Sequence, residues 1–231
     1  MRWNNLTMTD ARNERLSHPR LSVFDLDRTL VTGNSSFAFF RHLINKRILP
    51  RFSLIYAGLC YIQYQLFGMS LTQLHQKIFR YILSGQPLAL LEAEVDAFVG
   101  GYLSTHLNET VSARLRSAQH LGDFTVILSN SPSFLVSRFA LFLKVDDWRS
   151  THYGVDHEMK LSHITSILQG EEKASCVQEF IARLAVDKKD VTVYSDSYLD
   201  LPFLLTAGTP IAVNPDRKLK LFSKLHQWTI I

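Results

Sequence analysis

The sequence predicts an α/β fold, in which a parallel sheet flanked by helices carries an inserted helical cap. Three strand-length apolar runs indicate the sheet, and each is followed by small polar or acidic residues: Leu21–Phe24, Phe124–Leu128 and Val191–Tyr194. Such runs are typical of parallel strands that are covered on both faces. Roughly a hundred residues separate the first run from the second, so this segment must contain structure of its own.

The first run ends in two carboxylates, Asp25 and Asp27. Ligands of Rossmann-like sheets bind beyond the carboxyl ends of the strands, so this position is typical of a functional site. One carboxylate could be a nucleophile and the other a proton donor, or both could bind a hard cation. The alternative is a pair of solvated turn acids. A calcium loop is disfavoured, because its sixth and twelfth positions require Gly and Glu and are here Leu30 and Ser36.

The segment after the first run is predicted to be the helical cap, spanning residues 34–107 between core segments 21–33 and 108–231. Apolar residues recur in it at helical spacing, for example at Phe37, Phe40, Leu43 and Ile44 and at Leu71, Leu74, Ile78, Tyr81 and Ile82.

The charge of this segment is one-sided. From residue 28 to residue 91 there is no Asp or Glu, whereas seven residues are Lys or Arg: Arg28, Arg41, Lys46, Arg47, Arg51, Lys77 and Arg80. Residues 52–74 carry no charge at all. We interpret them as a buried cap helix; the alternatives are an amphipathic helix on an anionic membrane and a membrane span.

The second and third runs also end in polar residues. The second stops at Ser129-Asn130-Ser131-Pro132, and the third stops before Ser195-Asp196-Ser197-Tyr198-Leu199-Asp200. Between them, Gly170-Glu171-Glu172-Lys173 begins a segment with helical apolar spacing. We expect these ends to converge on one polar pocket.

Each of these residues has a purely structural alternative. Ser129 could cap a helix, Lys173 could be a solvated lysine of a first helical turn, and Asp196 and Asp200 could be acids that complement a helix dipole.

Together, the residues resemble the haloacid dehalogenase superfamily of phosphohydrolases. Its four motifs are matched in chain order by Asp25/Asp27/Thr29, Ser129, Lys173 and Asp196/Asp200. The Ser-Asn-Ser-Pro segment, the segment from Tyr194 to Pro202 and the segment 212–216 resemble the phosphoserine-phosphatase-like branch (subfamily IB).

This resemblance implies roles for the matched residues. Asp25 would be the nucleophile that forms an aspartyl-phosphate, and Asp27 would protonate the leaving alcohol and then activate water. Mg²⁺ would be bound by Asp25, the main-chain carbonyl of Asp27, and Asp196. Lys173 would offset negative charge, and Asp200 would orient Lys173 or a metal-bound water. The substrate-binding residues would be Thr29, Ser129, Asn130 and Lys173.

The expected function is therefore that of a magnesium-dependent phosphatase acting on a small phosphate monoester. Phosphoserine is a less suitable substrate, because the Glu that binds its ammonium group in that branch is replaced by Asn34. Phosphoryl transfer to a second alcohol through the same intermediate is an alternative. Another is a non-catalytic basic protein that binds anionic membrane or nucleic acid, which the pI of about 9.1 motivates.

Composition and the motifs that are absent from the sequence exclude several classes of function. No dinucleotide-binding or P-loop motif occurs, and Cys60 and Cys176 form no metal-binding or disulfide pattern. We expect no nucleic-acid partner and a possible peripheral contact of the basic cap with anionic membrane. Residues 1–20 are polar and charged, so we predict a flexible N-terminal tail without a secretory signal and a cytoplasmic location.

Overall fold

The structure, a computed structural model, describes residues 20–231 apart from the side chain of Gln65. The predicted N-terminal tail therefore lies outside the described residues, except for Arg20. Strands in the described part of the chain are β1 (Leu21–Phe24), β2 (Phe124–Pro132), β3 (Asp147–Val155), β4 (Leu161–Ser166), β5 (Val191–Ser195), β6 (Thr209–Ala212) and β7 (Thr229–Ile230).

These strands form one sheet in the order β4-β3-β2-β1-β5-β6-β7. All neighbouring strands are parallel except β3 and β4, which are antiparallel. The three predicted runs are therefore the three central strands, with β1 between β2 and β5. The prediction of an α/β fold with a mainly parallel sheet is confirmed.

Helices cover both faces of the sheet and fill the long segment after β1. They are α1 (Ser35–Asn45), α2 (Phe52–Leu66), α3 (Leu71–Ile78), α4 (Leu88–His106), α5 (Glu109–Leu121), α6 (Ser133–Leu143), α7 (Gly170–Leu184), α8 (Leu201–Leu204) and α9 (Arg217–Leu225). A π-helical turn, Phe79–Leu83, continues α3.

The alternating side chains of the central strands divide the core into two apolar layers. Leu21 and Val23 of β1 face one layer with residues of α7, α8 and α9, whereas Phe24 faces the other. That second layer includes residues of α1, α4, α5 and α6. Burial of both faces explains why the central strands are continuous apolar runs.

The inner helices of the inserted segment share the core of the sheet. Val95 and Val99 of α4 lie in the same apolar cluster as Phe39 of α1 and Phe139 of α6. The buried side of α1 is formed by Ser35, Phe39 and Leu43. Phe37, which marked the predicted apolar face, is half exposed.

The outer helix α2 contradicts our interpretation of residues 52–74 as a buried helix. Ser53 and Cys60 are buried in this helix, and most of its large apolar side chains are exposed. The prediction was wrong because apolar residues occupy more than one side of α2, a pattern that is typical of a buried helix. No helix within residues 20–231 is both long and apolar enough to cross a membrane.

Strand β2 is longer than predicted. We expected it to stop at Leu128, but it continues to Pro132 with an irregular register against β3 after Ser129. Backbone pairing with β3 therefore carries the polar segment Ser129–Pro132 along the edge of the site.

Candidate active site

The loop after β1 is fixed at both ends. The amide of Asp25 donates to the carbonyl of Tyr194 in β5 (2.9 Å), which extends the pairing of β1 and β5 past Phe24. The amide of Asn108 donates to the carbonyl of Leu30 (2.9 Å), so the end of the inserted segment holds the far side of the loop. Arg28, at its tip, is exposed and has a φ of 59°.

Lys173 joins two of the predicted carboxylates. Its Nζ donates to Asp25 Oδ1 and to Asp200 Oδ2, both at 2.7 Å, and its side chain is only 3% exposed. Asp200 Oδ2 also accepts a hydrogen bond from Ser195 Oγ (2.7 Å). Lys173 is therefore a buried counter-ion and not a solvated lysine, and Asp200 lies in a first helical turn but also binds Lys173 and Ser195.

A glycine allows this arrangement. A Cβ on Gly170, the first residue of α7, would lie 2.8 Å from the carbonyl oxygen of Leu199. The absence of a side chain lets the first turn of α7 approach the turn that carries Asp200. Lys173, one turn along α7, then reaches both carboxylates.

Asp27 is held by two hydrogen-bond donors. The amide of Ser35 donates to its Oδ1, and the hydroxyl of Ser131 donates to its Oδ2. The hydroxyl of Ser36 also hydrogen-bonds to that of Ser131. The hydroxyl hydrogens of Ser131 and Ser36 can rotate, so this series of hydrogen bonds can accommodate Asp27 with or without a proton.

Three of the predicted substrate-binding residues differ in burial: Ser129, Asn130 and Thr29. Ser129 is fully buried, and its Oγ accepts the amide of Ser131 (3.1 Å), which leaves its own proton to donate. It does not cap α6, whose N-terminal residue has no side-chain cap. Asn130 is half-buried at the end of β2. Thr29 is fully buried, and its hydroxyl has no hydrogen-bond partner among the described residues.

Asp196 follows β5 directly, at the same edge of the sheet. Its carbonyl accepts the amide of Asp216 (2.9 Å). The carboxylate of Asp216 in turn accepts the amide of Tyr198 (2.7 Å), which fixes the turn after Asp196. The charge of the Asp196 carboxylate acts on Asp25, which follows β1.

The site has an excess of negative charge. Burial raises the pKa of Asp25 well above its usual range; Lys173 opposes this effect, and the charges of Asp200, Asp196 and Asp27 add to it. Burial and then Asp200 raise the pKa of Asp196 to about 6, although Lys173 and Arg28 oppose them.

Burial and the neighbouring charges have opposing effects on the pKa of Lys173. Burial alone would lower the pKa of its ammonium group, but Asp200 and Asp25 outweigh this and raise the pKa above its usual value. The two carboxylates therefore favour the charged form of Lys173 beside Asp25.

The donor set fits Mg²⁺. No group of three or more His, Cys, Asp or Glu side chains within residues 20–231 is arranged as a metal centre. Mg²⁺, however, typically uses one or two carboxylates and keeps water or substrate phosphate as its other ligands. Asp25 and Asp196 supply two carboxylates, and the main-chain carbonyl of Asp27 is a third hard oxygen. The raised pKa values of Asp25 and Asp196 reflect burial together with an excess of negative charge that a bound divalent cation would neutralise.

Some residues of the site were not predicted. Ser131 holds Asp27, Ser36 hydrogen-bonds to Ser131, and Ser195 holds Asp200. The sequence carried a partial signal, because Ser131 and Ser195 belong to the polar segments that follow β2 and β5. Nothing in the spacing indicated that Ser36 would be near Ser131, because they are 95 positions apart.

The chain is similar to known hydrolases and phosphatases. A family model for haloacid dehalogenase-like hydrolases matches residues 22–205. Phosphoserine phosphatase SerB1 of Mycobacterium tuberculosis is 27% identical over 219 residues, covering 90% of this chain and 69% of that protein. Histidinol-phosphatase of Neisseria meningitidis is 25% identical over 230 residues, covering 91% of this chain and 97% of that protein.

The fold is also found among solved structures. A structure described as a phospho-aspartyl intermediate analogue of phosphoserine phosphatase has a TM-score of 0.67 at 15% sequence identity. The match covers 93% of each chain. At this identity the likeness concerns the fold.

Proposed function

Because this chain belongs to the haloacid dehalogenase-like hydrolases and is a phosphoric monoester hydrolase, we propose that it cleaves a small phosphate monoester with Mg²⁺ through an aspartyl-phosphate at Asp25. The observation that carries the proposal is the buried Lys173, which binds Asp25 Oδ1 at 2.7 Å. One carboxylate oxygen is thereby held, and the other remains available for attack.

In the first step, the free oxygen of Asp25 attacks phosphorus and the ester P–O bond breaks. Asp27, held between Ser35 and Ser131, gives its proton to the leaving alcohol oxygen. Ser129 donates a hydrogen bond to a phosphoryl oxygen, and Lys173 offsets the charge that gathers near Asp25.

In the second step, Asp27 takes a proton from water, which attacks the phosphorus of the aspartyl-phosphate. The bond between phosphorus and Asp25 then breaks, and inorganic phosphate is released. When bound by Asp25, Asp196 and the carbonyl of Asp27, Mg²⁺ would supply positive charge against the phosphate dianion. Asp200 holds Lys173 in place throughout.

The inserted segment favours a leaving group without a positive charge. The side-chain oxygen of Asn34 accepts the amide of Phe37 (2.8 Å), so it caps α1. Residues 28–91 contain no carboxylate. Of the three acids on α4, Glu94 pairs with His42 (2.7 Å), Asp96 pairs with Arg138 (2.6 Å), and Glu92 is exposed to solvent. An ammonium group would thus find little to bind, and we propose a neutral or anionic leaving group.

Phosphate release from a matched pair of esters tests both parts of the proposal. 3-Phosphoglycerate and phosphoserine share one skeleton and differ in a hydroxyl against an ammonium group. We expect magnesium-dependent release from 3-phosphoglycerate or a longer anionic or neutral ester, and a lower kcat/KM for phosphoserine. Asp25→Asn should abolish release, whereas the matched control Asp187→Asn, at an exposed site, should not.

The outcomes separate the alternatives. A higher kcat/KM for phosphoserine would refute the proposed leaving group and leave the reaction intact. Loss of ester without free phosphate, together with a new phosphate ester of an added alcohol, would indicate phosphoryl transfer. No turnover of any ester with Mg²⁺ would refute the reaction itself.

A further inference from the structure

Helix α2 has two apolar sides, and within the described part of the chain only one of them packs against the protein core. The inward side contains the buried Ser53 and Cys60, with Tyr56 and Ala57 half-buried beside them. The outward side is a stripe at alternating three- and four-residue spacing, between 49% and 73% exposed: Phe52, Ile55, Leu59, Ile62 and Leu66. At about 100° per residue, the stripe occupies roughly 80° of the helix and is about 21 Å long.

Within residues 20–231, this outer stripe belongs to neither of the two buried apolar clusters. A surface helix of a folded protein normally presents polar residues to solvent, whereas α2 presents large aliphatic side chains and has no Lys, Arg, Asp or Glu. A contiguous exposed apolar surface of this kind indicates a contact with another molecule.

Positive charges lie at both ends of the stripe. Arg47 and Arg51 are exposed just before α2 begins. Near its C-terminal end, Lys77 Nζ donates to Gln63 Oε1 of α2 (2.9 Å), and Arg80 is exposed one turn further along the chain. No acid between residues 28 and 91 offsets these charges.

We propose that the outer stripe of α2 docks on an anionic lipid bilayer. Aliphatic and aromatic side chains insert at the interface, and basic residues at the ends of the helix bind the headgroups. Charge decides against a second copy of this chain, because pairing two such faces would bring basic ends together with no acid to neutralise them. Docking does not require catalysis, so this proposal is independent of the proposed function and can be tested separately.

Vesicle flotation of the full-length chain tests this proposal. We expect the protein to float with phosphatidylcholine vesicles that contain phosphatidylglycerol, and not with vesicles of phosphatidylcholine alone. Asp25→Asn should float equally well. Replacing Arg47 and Arg51 by Gln should weaken partitioning about fivefold for each charge removed.

The apolar part of the surface is tested by a triple variant and a matched control. Ile55→Gln, Leu59→Gln and Ile62→Gln together should lower the partition coefficient about tenfold or more. The control replaces Leu121, Leu141 and Leu225 by Gln; these are 65–73% exposed and lie on α5, α6 and α9. The control should float like the parent, and thermal unfolding should show both triple variants folded.

Several results would overturn the proposal. One is equal flotation of the two triple variants, and another is flotation that does not depend on anionic lipid. A dimer in sedimentation equilibrium that the α2 variant alone disrupts, without vesicle binding, would identify a second copy as the partner. Retention on immobilised polyglutamate but not on vesicles would identify an acidic protein surface instead.

Discussion

Replacement of Lys173 by Met should both destabilise the protein and slow its reaction. The ammonium group makes two ion pairs of 2.7 Å and is 3% exposed, so the variant leaves the buried carboxylates of Asp25 and Asp200 without a counter-ion. Removal of one partner from a buried ion pair costs about 3–5 kcal/mol. At about 2–4 °C for each kcal/mol in a chain of this size, the melting temperature should fall by roughly 6–20 °C.

Urea unfolding at constant pH with a chelator present measures this change without a metal contribution. The matched control is Lys189→Met, because Lys189 is 76% exposed and pairs with Asp187 at 3.4 Å. It should change the free energy of unfolding by less than about 1 kcal/mol. A Lys173→Met variant that also carries Asp200→Asn should recover part of the loss, about 0.5–3 kcal/mol, because one uncompensated charge is gone.

Kinetics give the second readout for Lys173. Because its charge lies beside the attacking carboxylate, kcat should fall about 10²–10³-fold in Lys173→Met. Wild-type turnover and less than about 1 kcal/mol of destabilisation would refute the reasoning, since a buried counter-ion cannot be removed without cost.

Three further predictions concern other parts of the chain. Gly170→Ala should lose about 1–3 kcal/mol in urea unfolding, because its Cβ meets a carbonyl oxygen at 2.8 Å; Gly101→Ala, with nothing within 4 Å, should lose nothing. Ser131→Ala should lower kcat about tenfold with little change in KM; a rise in KM alone would contradict its positioning role. Burial tends to raise the pKa of Asp147, but hydrogen bonds, foremost from Arg183, bring it below the usual value. Its folded-state pKa therefore lies below the unfolded value of about 3.9. Because solvent screens the partly exposed ion pair, Asp147→Asn should cost no more than about 1 kcal/mol at pH 7, and the cost should shrink as the pH falls below about 3.9. A pH-independent loss would exclude the ion pair as its cause.

The sequence predicts the centre of the fold and most of the site. Buried parallel strands are continuous apolar runs, and their carboxyl ends meet at one edge, so the chain positions of Asp25, Ser129 and Asp196 suffice to place them together. The position of Lys173 near the start of a helix followed from apolar spacing in the same way. These features depend on local patterns that chain order preserves.

The contacts within the site could not be predicted in the same way. The hydrogen bond between Ser131 and Asp27 joins residues 104 positions apart and depends on how far β2 continues past Leu128. The exposure of α2 was missed for another reason. Apolar residues on two sides of a helix indicate that both sides are buried. The spacing does not show whether the protein has a second surface that covers the outer side.

The opposite charges of the acidic site and the basic inserted segment explain how such a site can receive an anion. Four carboxylates, those of Asp25, Asp27, Asp196 and Asp200, interact in a site that has one buried ammonium group, so the centre by itself repels a phosphate dianion. Residues 28–91, most of which belong to the inserted segment, contain seven basic residues and no acid. Such a field attracts anions at long range, whereas close to the carboxylates only a cation or a fixed donor can offset the repulsion. The basic segment thus favours encounter with an anionic ester or surface, and the chemistry depends on the groups at the ends of β1, β2 and β5.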